Sequence, residues 1–449
     1  MQEYADYTSV PTAWLTELPS HWDCKKIGSL FSERKTKVSD KEFQPLSVAK
    51  IGVVPQLETA VKTDAGDNRK LVRAGDFVIN SRSDRKGSCG VSELDGSVSL
   101  INIVLTPRSQ WNAKYVHYLM RSQPFSEEYY RYGRGIVSDL WTTRFSEMKN
   151  ILLPIPSRSE QDQIVRFLDW KVSMINRLIN TKRKEIKAVD AMKRSMVSST
   201  VTRGLNPGTP MKFSGVKWLG DIPEHWKTIK LRQLLHPVSI KNHPELPLLS
   251  VVREQGVIVR DVTDKEANHN FIPDDLSGYK MVKKGQFAMN KMKAWQGSYG
   301  ISDYTGIVSP AYFIFDVSFD NLEYFHYAIR SKVYVNFFAQ ASDGIRVGQW
   351  DLQMDKMKEI PFIVPPADEQ VAIVEYIKQT LPRYDVAIEK LTAEVETLEE
   401  YKAKLIADVV TGKIDVRDAE IPDYEFADEY ADSDSDSEED VEETEEQED

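Results

Sequence analysis

The chain repeats itself over the length of a whole domain. Trp14-Leu15-x3-Pro19-x-His21-Trp22 returns 204 residues on as Trp218-Leu219-x3-Pro223-x-His225-Trp226. Gly75-x-Phe77-x2-Asn80 returns as Gly285-x-Phe287-x2-Asn290, and Gly87, Gly90 and Ser99 keep the same spacing of 210 to Gly297, Gly300 and Ser309. Tyr115-x-His117-Tyr118-x2-Arg121-Ser122 matches Tyr324-x-His326-Tyr327-x2-Arg330-Ser331, and Glu160-Gln161 matches Glu369-Gln370. The order never changes. A period of roughly 20 to 50 residues marks a solenoid or propeller, whereas one of about 205 to 210 means two complete units in tandem, each able to bury its own core.

The net charge of −11 covers two regimes. Residues 418–449 hold 18 of the 69 acids and none of the 58 bases, which leaves the rest of the chain with 51 acids and a net charge of about +7. The tail, with Asp432-Ser433-Asp434-Ser435-Asp436-Ser437-Glu438-Glu439-Asp440 at its heart, repels itself and buries nothing; disorder with a solubilising role is expected. No apolar run approaches the roughly 18 residues of a membrane span. Met1 to Val10 carries Glu3 and Asp6 and no apolar stretch, so neither a signal peptide nor a membrane partner is expected and the cytoplasm is the expected compartment. Cys24 and Cys89 are the only cysteines and sit in no His/Cys cluster, so free thiols are expected and no metal site.

Each unit follows one plan. Short β-rich runs (Phe77 to Asn80, Ser97 to Thr106; Val257 to Val262, Ile307 to Phe315) alternate with glycines, and a helix-like stretch follows Tyr115 or Tyr324. The expected class is mixed α/β (α+β). A proline-marked exit, Leu152-Leu153-Pro154-Ile155-Pro156 or Pro361-Phe362-Ile363-Val364-Pro365-Pro366, then leads into a long helix. In the second copy Val374, Ile377, Leu381, Tyr384, Ile388, Leu391, Val395, Leu398, Lys402, Leu405 and Val409 step by threes and fours, the seam of a coiled coil. The first copy repeats it 209 residues earlier at Val165, Leu168, Val172, Ile175, Ile179, Lys182, Ile186, Val189, Lys193 and Met196. Helices of about 40 residues would extend roughly 60 Å, so each is expected to pack on the other. Pro382 predicts a kink, or a break between a short helix and a long one.

The boundaries predicted on this plan are 1–156 and 206–366 for the two α/β domains, 157–205 and 367–416 for the helices, and 417–449 for the tail.

No phosphate loop, HExxH, GxSxG or Asn-Pro-Pro-aromatic signature occurs. Glu185-Ile186-Lys187 resembles half a nuclease metal site but lies on the helical stretch without an upstream Pro-Asp, and chance accounts for it. His21, His225, His117 and His326 are expected to serve packing. No catalytic residue is assigned.

The copies differ inside the shared frame. Between Asn80 and Gly90 the first reads Ser81-Arg82-Ser83-Asp84-Arg85-Lys86-Gly87-Ser88-Cys89, and the second reads Lys291-Met292-Lys293-Ala294-Trp295-Gln296-Gly297-Ser298-Tyr299. Arg and Lys neutralise phosphate and donate to guanine, and Gln pairs with adenine. Arg82, Arg85, Lys86, Lys291, Lys293, Trp295 and Gln296 are therefore candidate DNA contacts. Tyr132, Arg134 and Arg144 near Gly135, and Arg346 and Gln349 near Gly344, form a second candidate loop in each copy.

Two domains of about 150 residues, each followed by Glu-Gln and a long helix, with Trp218-Leu219-Gly220-Asp221-Ile222-Pro223-Glu224-His225-Trp226 opening a unit, resemble the specificity subunit of type I restriction-modification systems. The motif is intact in the second copy; in the first, Thr16-Glu17-Leu18-Pro19-Ser20 replaces Gly-Asp-Ile-Pro-Glu. The likeness covers about residues 10–416, and the acidic tail lies outside it. It implies a non-catalytic chain whose two target recognition domains each read half of a split, asymmetric double-stranded DNA sequence, with the helices as a ruler. It also implies two modification (methyltransferase) subunits using S-adenosylmethionine, and restriction (motor and nuclease) subunits using ATP and Mg²⁺, so that no cofactor belongs to this chain. Leu168, Ile175, Ile186, Ile388, Val395 and Leu405 represent the seam expected, with its adjacent surfaces, to dock the modification subunits. The contrasting expectations are a coiled-coil scaffold without DNA specificity, or a nuclease acting alone.

Overall fold

At the centre of each unit lies a strand buried on both faces. Phe77–Asn80 pairs antiparallel with Asn102–Pro107, Val78 opposite Val104 and Ile79 opposite Ile103. Cys89–Val91 and Phe31–Glu33 complete a four-stranded sheet. The second copy builds the same order from Leu235–Val238, Tyr312–Val317, Phe287–Asn290 and Tyr299–Ile301. A strand covered on both sides reads as an unbroken apolar run, as FVIN and FAMN do, and the repeated Phe77 and Phe287 are fully buried in it.

The computed structural model describes residues 2–57, 66–82, 85–135, 141–217, 219–261, 272–273, 275–346 and 349–427, without the side chains of 345, 346 and 349. The described residues form two compact units, one from the stretches 2–181 and 394–427 and the other from Lys182–Ala393. Each thus combines an α/β body with a segment of both long helices. Trp218 and the tail beyond Ala427 lie outside the described residues.

The frame residues now have reasons. The β-rich runs from Ser97 and Ile307 each hold two strands, because the repeated serine accepts from the chain three residues on and closes a turn. Asn102 N donates to Ser99 O at 3.0 Å and Tyr312 N to Ser309 O at 3.1 Å. The run from Val257 is a shorter strand, Gly256–Val259. Gly75 and Gly285 have φ of +91° and +89°, a region open to glycine. Asn112 and Asn321 cap the following helices, Ala113–Arg121 and Leu322–Ile329, through side-chain oxygens.

The four histidines serve structure. Val91 N donates to His117 Nδ1 and Ile301 N to His326 Nδ1, both at 3.3 Å. Gly90 and Gly300 are small because a Cβ at either would meet the ring Cε1 of that histidine at 3.3 Å. Burial, reinforced by the Arg121 guanidinium, pushes the His117 pKa down to about 3. Burial and Arg330 push His326 down to about 4. His21 and His225 meet the repeated glutamates. His21 Nε2 lies 3.0 Å from Glu160 Oε2, an oxygen pair that also accepts from Tyr4 OH at 2.8 Å. In the second unit His225 Nε2 lies 2.5 Å from Glu369 Oε1, and Trp226 Nε1 donates to Glu369 Oε2 at 3.0 Å. Gln161 and Gln370 donate to the Pro156 and Pro365 carbonyls at 3.0 and 2.9 Å. The Pro-x-His-Trp corner and the Glu-Gln pair, about 140 residues apart in each copy, are therefore one joint between body and helix.

The first long helix is Arg158–Arg203 and the second Ala367–Val410. The second continues through Pro382, so the break allowed for at that residue does not occur. Proline removes one backbone donor, and here its exposed position leaves the freed Lys378 carbonyl region open to water while Leu381 and Tyr384 on either side stay partly covered. Segments of the two helices pack in each unit. In the first, Leu168, Ile175, Val395 and Leu405 are buried. In the second, Val374 and Ile377 are buried and Ile186 and Ile388 half-buried. Both helices end on a left-handed glycine beneath a repeated tryptophan: Gly204 (φ +74°) against Trp226, and Gly412 (φ +78°) against Trp22 and Pro19. The repeated tyrosines tie these ends down. Tyr324 OH donates to Val201 O at 3.1 Å, and Tyr115 OH to Val410 O at 3.4 Å. No helix among the described residues is long and apolar enough to cross a membrane.

Candidate nucleic-acid interface

In each copy a repeated asparagine ends the central strand and turns the chain into the variable loop. Asn80 Oδ1 accepts from Arg82 N at 3.1 Å, and Asn290 Oδ1 accepts from Met292 N at 3.0 Å and Lys293 N at 3.3 Å. An Asx turn of this kind lets the same backbone start present any side chains that follow. Gly87 (φ +82°) and Gly297 (φ +100°) close the loop in the left-handed region. The frame is common and the cargo differs.

The second variable segment joins the first. In the first unit, Thr142 bridges both Arg82 and Arg134, and Thr143 N donates to Ser81 O at 2.9 Å. Arg85 and Lys86 are exposed, with Lys86 Nζ 5.8 Å above the Tyr130 ring and Tyr130 OH donating to Arg85 O at 3.2 Å. Arg134 and Arg144 are exposed, and Arg144 begins the short helix Phe145–Met148, its N–H donating to Glu147 Oε2 at 3.2 Å. Arg131 lies over Tyr132 at 5.5 Å. Arg82, Arg85, Lys86, Arg134 and Arg144 thus stand on two loops that share a backbone junction.

In the second unit a hairpin, Ser342–Arg346 with Gln349–Leu352, packs on the first loop. Leu352 N donates to Lys291 O at 3.4 Å, and Lys291 Nζ pairs with Asp351 Oδ2 at 2.8 Å. Trp295 stacks on Trp350, centroids 5.3 Å apart and planes at 27°. Gly344 is small for that reason, since a Cβ there would meet Trp350 Nε1 at 2.9 Å. Lys293 and Gln296 are half-exposed on the same loop. Arg346 pairs with Gln349 through the backbone near the hairpin tip; their side chains lie outside the described residues. The Trp295 indole Nε1 is buried without a hydrogen-bond partner among the described residues.

Thr142 and Asp351 were not singled out in the sequence, because they occupy one position of the repeat and differ between copies; Trp350 repeats Trp141 of the first copy, a signal that was available. Asn80 and Asn290 were in the repeat, and their position immediately before the variable stretch was the available signal. The chemistry of both sites is hydrogen bonding, stacking and positive charge. Among the described residues no three His, Cys, Asp or Glu side chains converge as a metal site requires. Cys89 is buried, its thiol pushed up to about 12.

No family model matches this chain. It is 22% identical over 432 residues to the putative type I restriction enzyme MjaX specificity subunit of Methanocaldococcus jannaschii, covering 89% of this chain and 95% of that one. It is 26% identical over 289 residues to the MjaVIII specificity subunit of the same organism, covering 60% of this chain and 63% of that relative's length. A chain solved in a study of complex assembly and conformational transition of the type I R-M system superposes with a TM-score of 0.58 at 12% identity, over 88% of this chain and 99% of that one. The curated relatives that this chain resembles are thus named as type I restriction enzyme specificity subunits, and the solved chain shares its fold.

Proposed function

We propose that the chain is the DNA-specificity subunit of a type I restriction-modification complex, each unit reading one half of a bipartite target. The observation that carries this reading is the same in both units. Two loops that differ between copies are brought together on a repeated frame, and they carry cations and aromatic or amide groups suited to phosphates and base edges. Unlike loops imply unlike half-sites. The two long helices fix the distance between the half-sites and, with the surfaces beside their seam, dock two modification subunits. Leu168, Ile175, Val395 and Leu405 are buried within the chain's own packing, so a partner meets neighbouring faces instead.

The chain itself performs no catalysis on this reading. Modification subunits supply S-adenosylmethionine and flip out the adenine to be methylated, restriction subunits supply ATP- and Mg²⁺-dependent translocation and cleavage, and the complex works in the cytoplasm. The body's charge of about +7 outside the tail is modest for tight duplex binding, so the modification subunits complete the cationic cleft.

The test is a genome-wide map of methylated adenine in a host with and without this gene. A split motif with unlike halves that disappears on deletion is expected. An unchanged methylation map while protein and modification partner are both expressed would overturn the proposal.

A further inference from the structure

The chain does not stop at the end of the second long helix. From Val416 to Ala427 it runs back along the first helix within the first unit, held by side chains that grip its backbone. Gln163 Nε2 donates to Val416 O at 3.1 Å and Ala419 O at 2.9 Å. Ser173 Oγ donates to Glu425 O at 3.0 Å and accepts from Ala427 N at 2.7 Å. Asn176 Nδ2 donates to Ala427 O at 3.2 Å while its Oδ1 accepts from Lys402 Nζ at 3.2 Å. Arg177 Nη2 donates to Glu425 O at 3.1 Å.

These groups form a built cradle. Ser173 is 1% exposed and Asn176 5% exposed. Yet 209 residues on, the repeat places Ala372, Pro382, Asp385 and Val386 at the positions of Gln163, Ser173, Asn176 and Arg177. None of the four can donate a side-chain hydrogen bond to a carbonyl, so the cradle belongs to the first copy alone. The strap it holds is acidic, with Asp418, Glu420, Asp423 and Glu425, and buries little: Tyr424 and Phe426 are 38% and 69% exposed. A segment held by polar contacts over scant apolar burial opens at low free energy.

We propose that this face of the first long helix is a binding site for an extended acidic peptide, filled by the chain's own residues 416–427, and that the filled site shields the face from a modification subunit. The shielding half rests on the specificity-subunit reading. The cradle itself does not. Its consequence is two repeated helix faces of unequal affinity, the strapped one weaker.

Two measurements test this with the full chain and a chain ending at Arg417. The first adds a fluorescent peptide of residues 418–427 to the shortened chain. Saturable binding is expected, weakened at least tenfold by Gln163→Ala with Asn176→Asp, the residues the second copy already carries. No binding to a chain whose circular dichroism is unchanged overturns the site. The second titrates modification subunit by native mass spectrometry. Two unequal sites are expected in the full chain and two near-equal ones in the shortened chain, through at least a tenfold gain at the weaker site. Unchanged ratios overturn the shielding. If neither chain binds a modification subunit, the specificity-subunit reading falls, and the peptide result still decides the cradle.

Discussion

Lys402 and Asn176 meet at 3.2 Å across the two helix segments of the first unit, and the residues that the repeat makes their equivalents, Lys193 and Asp385, meet at 2.5 Å in the second. The polar position in each seam is thus matched by a polar partner in the same antiparallel register. The two pairs differ in environment. Lys402 is 8% exposed and donates to the Asn176 amide oxygen, whereas Lys193 and Asp385 form an ion pair with side chains 30% and 56% exposed.

That difference predicts unequal mutational costs. Lys402→Ala leaves a buried Asn176 oxygen without its donor and opens space in the seam, at a cost of about 1–3 kcal/mol. Lys193→Ala removes a solvent-screened pair at a cost of under about 1 kcal/mol. Urea denaturation of the two variants should separate them, and an equal effect would contradict the assigned burial.

The joint between body and helix predicts a second loss. Glu369→Ala strips Trp226 Nε1 of its acceptor beneath the Gly204 turn and should lower the melting temperature by several degrees, about 1–3 kcal/mol of stability. Glu160→Ala should do the same through Tyr4 OH. Glu369→Asp, which keeps the charge but shortens the reach, should restore little in a thermal melt.

Acid should act through the two buried histidines. Their folded pKa values, about 3 for His117 and about 4 for His326, lie below the ordinary 6.5, so the unfolded chain binds protons that the folded chain refuses. Stability from this source is complete above about pH 6.5 and falls as pH drops toward 4 and 3, by about 2 kcal/mol per histidine at pH 5. Denaturation midpoints of His117→Gln and His326→Gln between pH 7 and 4.5 should fall less steeply than those of the parent chain.

Specificity should divide along the repeat. Trp350→Ala releases Trp295 from its stack and should disturb one half of the methylated motif, by about 1–3 kcal/mol of discrimination, leaving the other half intact. Exchanging residues 70–150 for another recognition domain should change only the opposite half. Methylation maps of both variants check this, and a change in both halves from either one contradicts two independent readers.

Much of this was legible before any coordinates, for a physical reason. The seam is a local pattern whose period follows from helix geometry, so Leu168, Ile175, Val395 and Leu405 could be read as buried from spacing alone. What each repeated motif touches was not legible. Nothing local in Pro-x-His-Trp says that its partner is a glutamate about 140 residues later, because that contact is made by tertiary packing. Pro382 looked like a helix break by propensity, and packing on both sides of it prevailed. Trp350 repeats Trp141 and was legible but passed over, whereas Asp351 escaped notice because a search for repetition cannot see residues present once. The cradle at Gln163, Ser173 and Asn176 escaped for the same reason.

The Tyr115 hydroxyl that reaches the Val410 carbonyl also orders events on the ribosome. The first copy is synthesised first, but its unit includes the stretch 394–427 and waits for almost the whole chain to emerge. The described residues of the second unit all come from one stretch of sequence, Lys182–Ala393. Domains commonly fold as they leave the ribosome, amino-terminal first; here the amino-terminal half is the one that must stay open longest, and the later-made half is the first that can close.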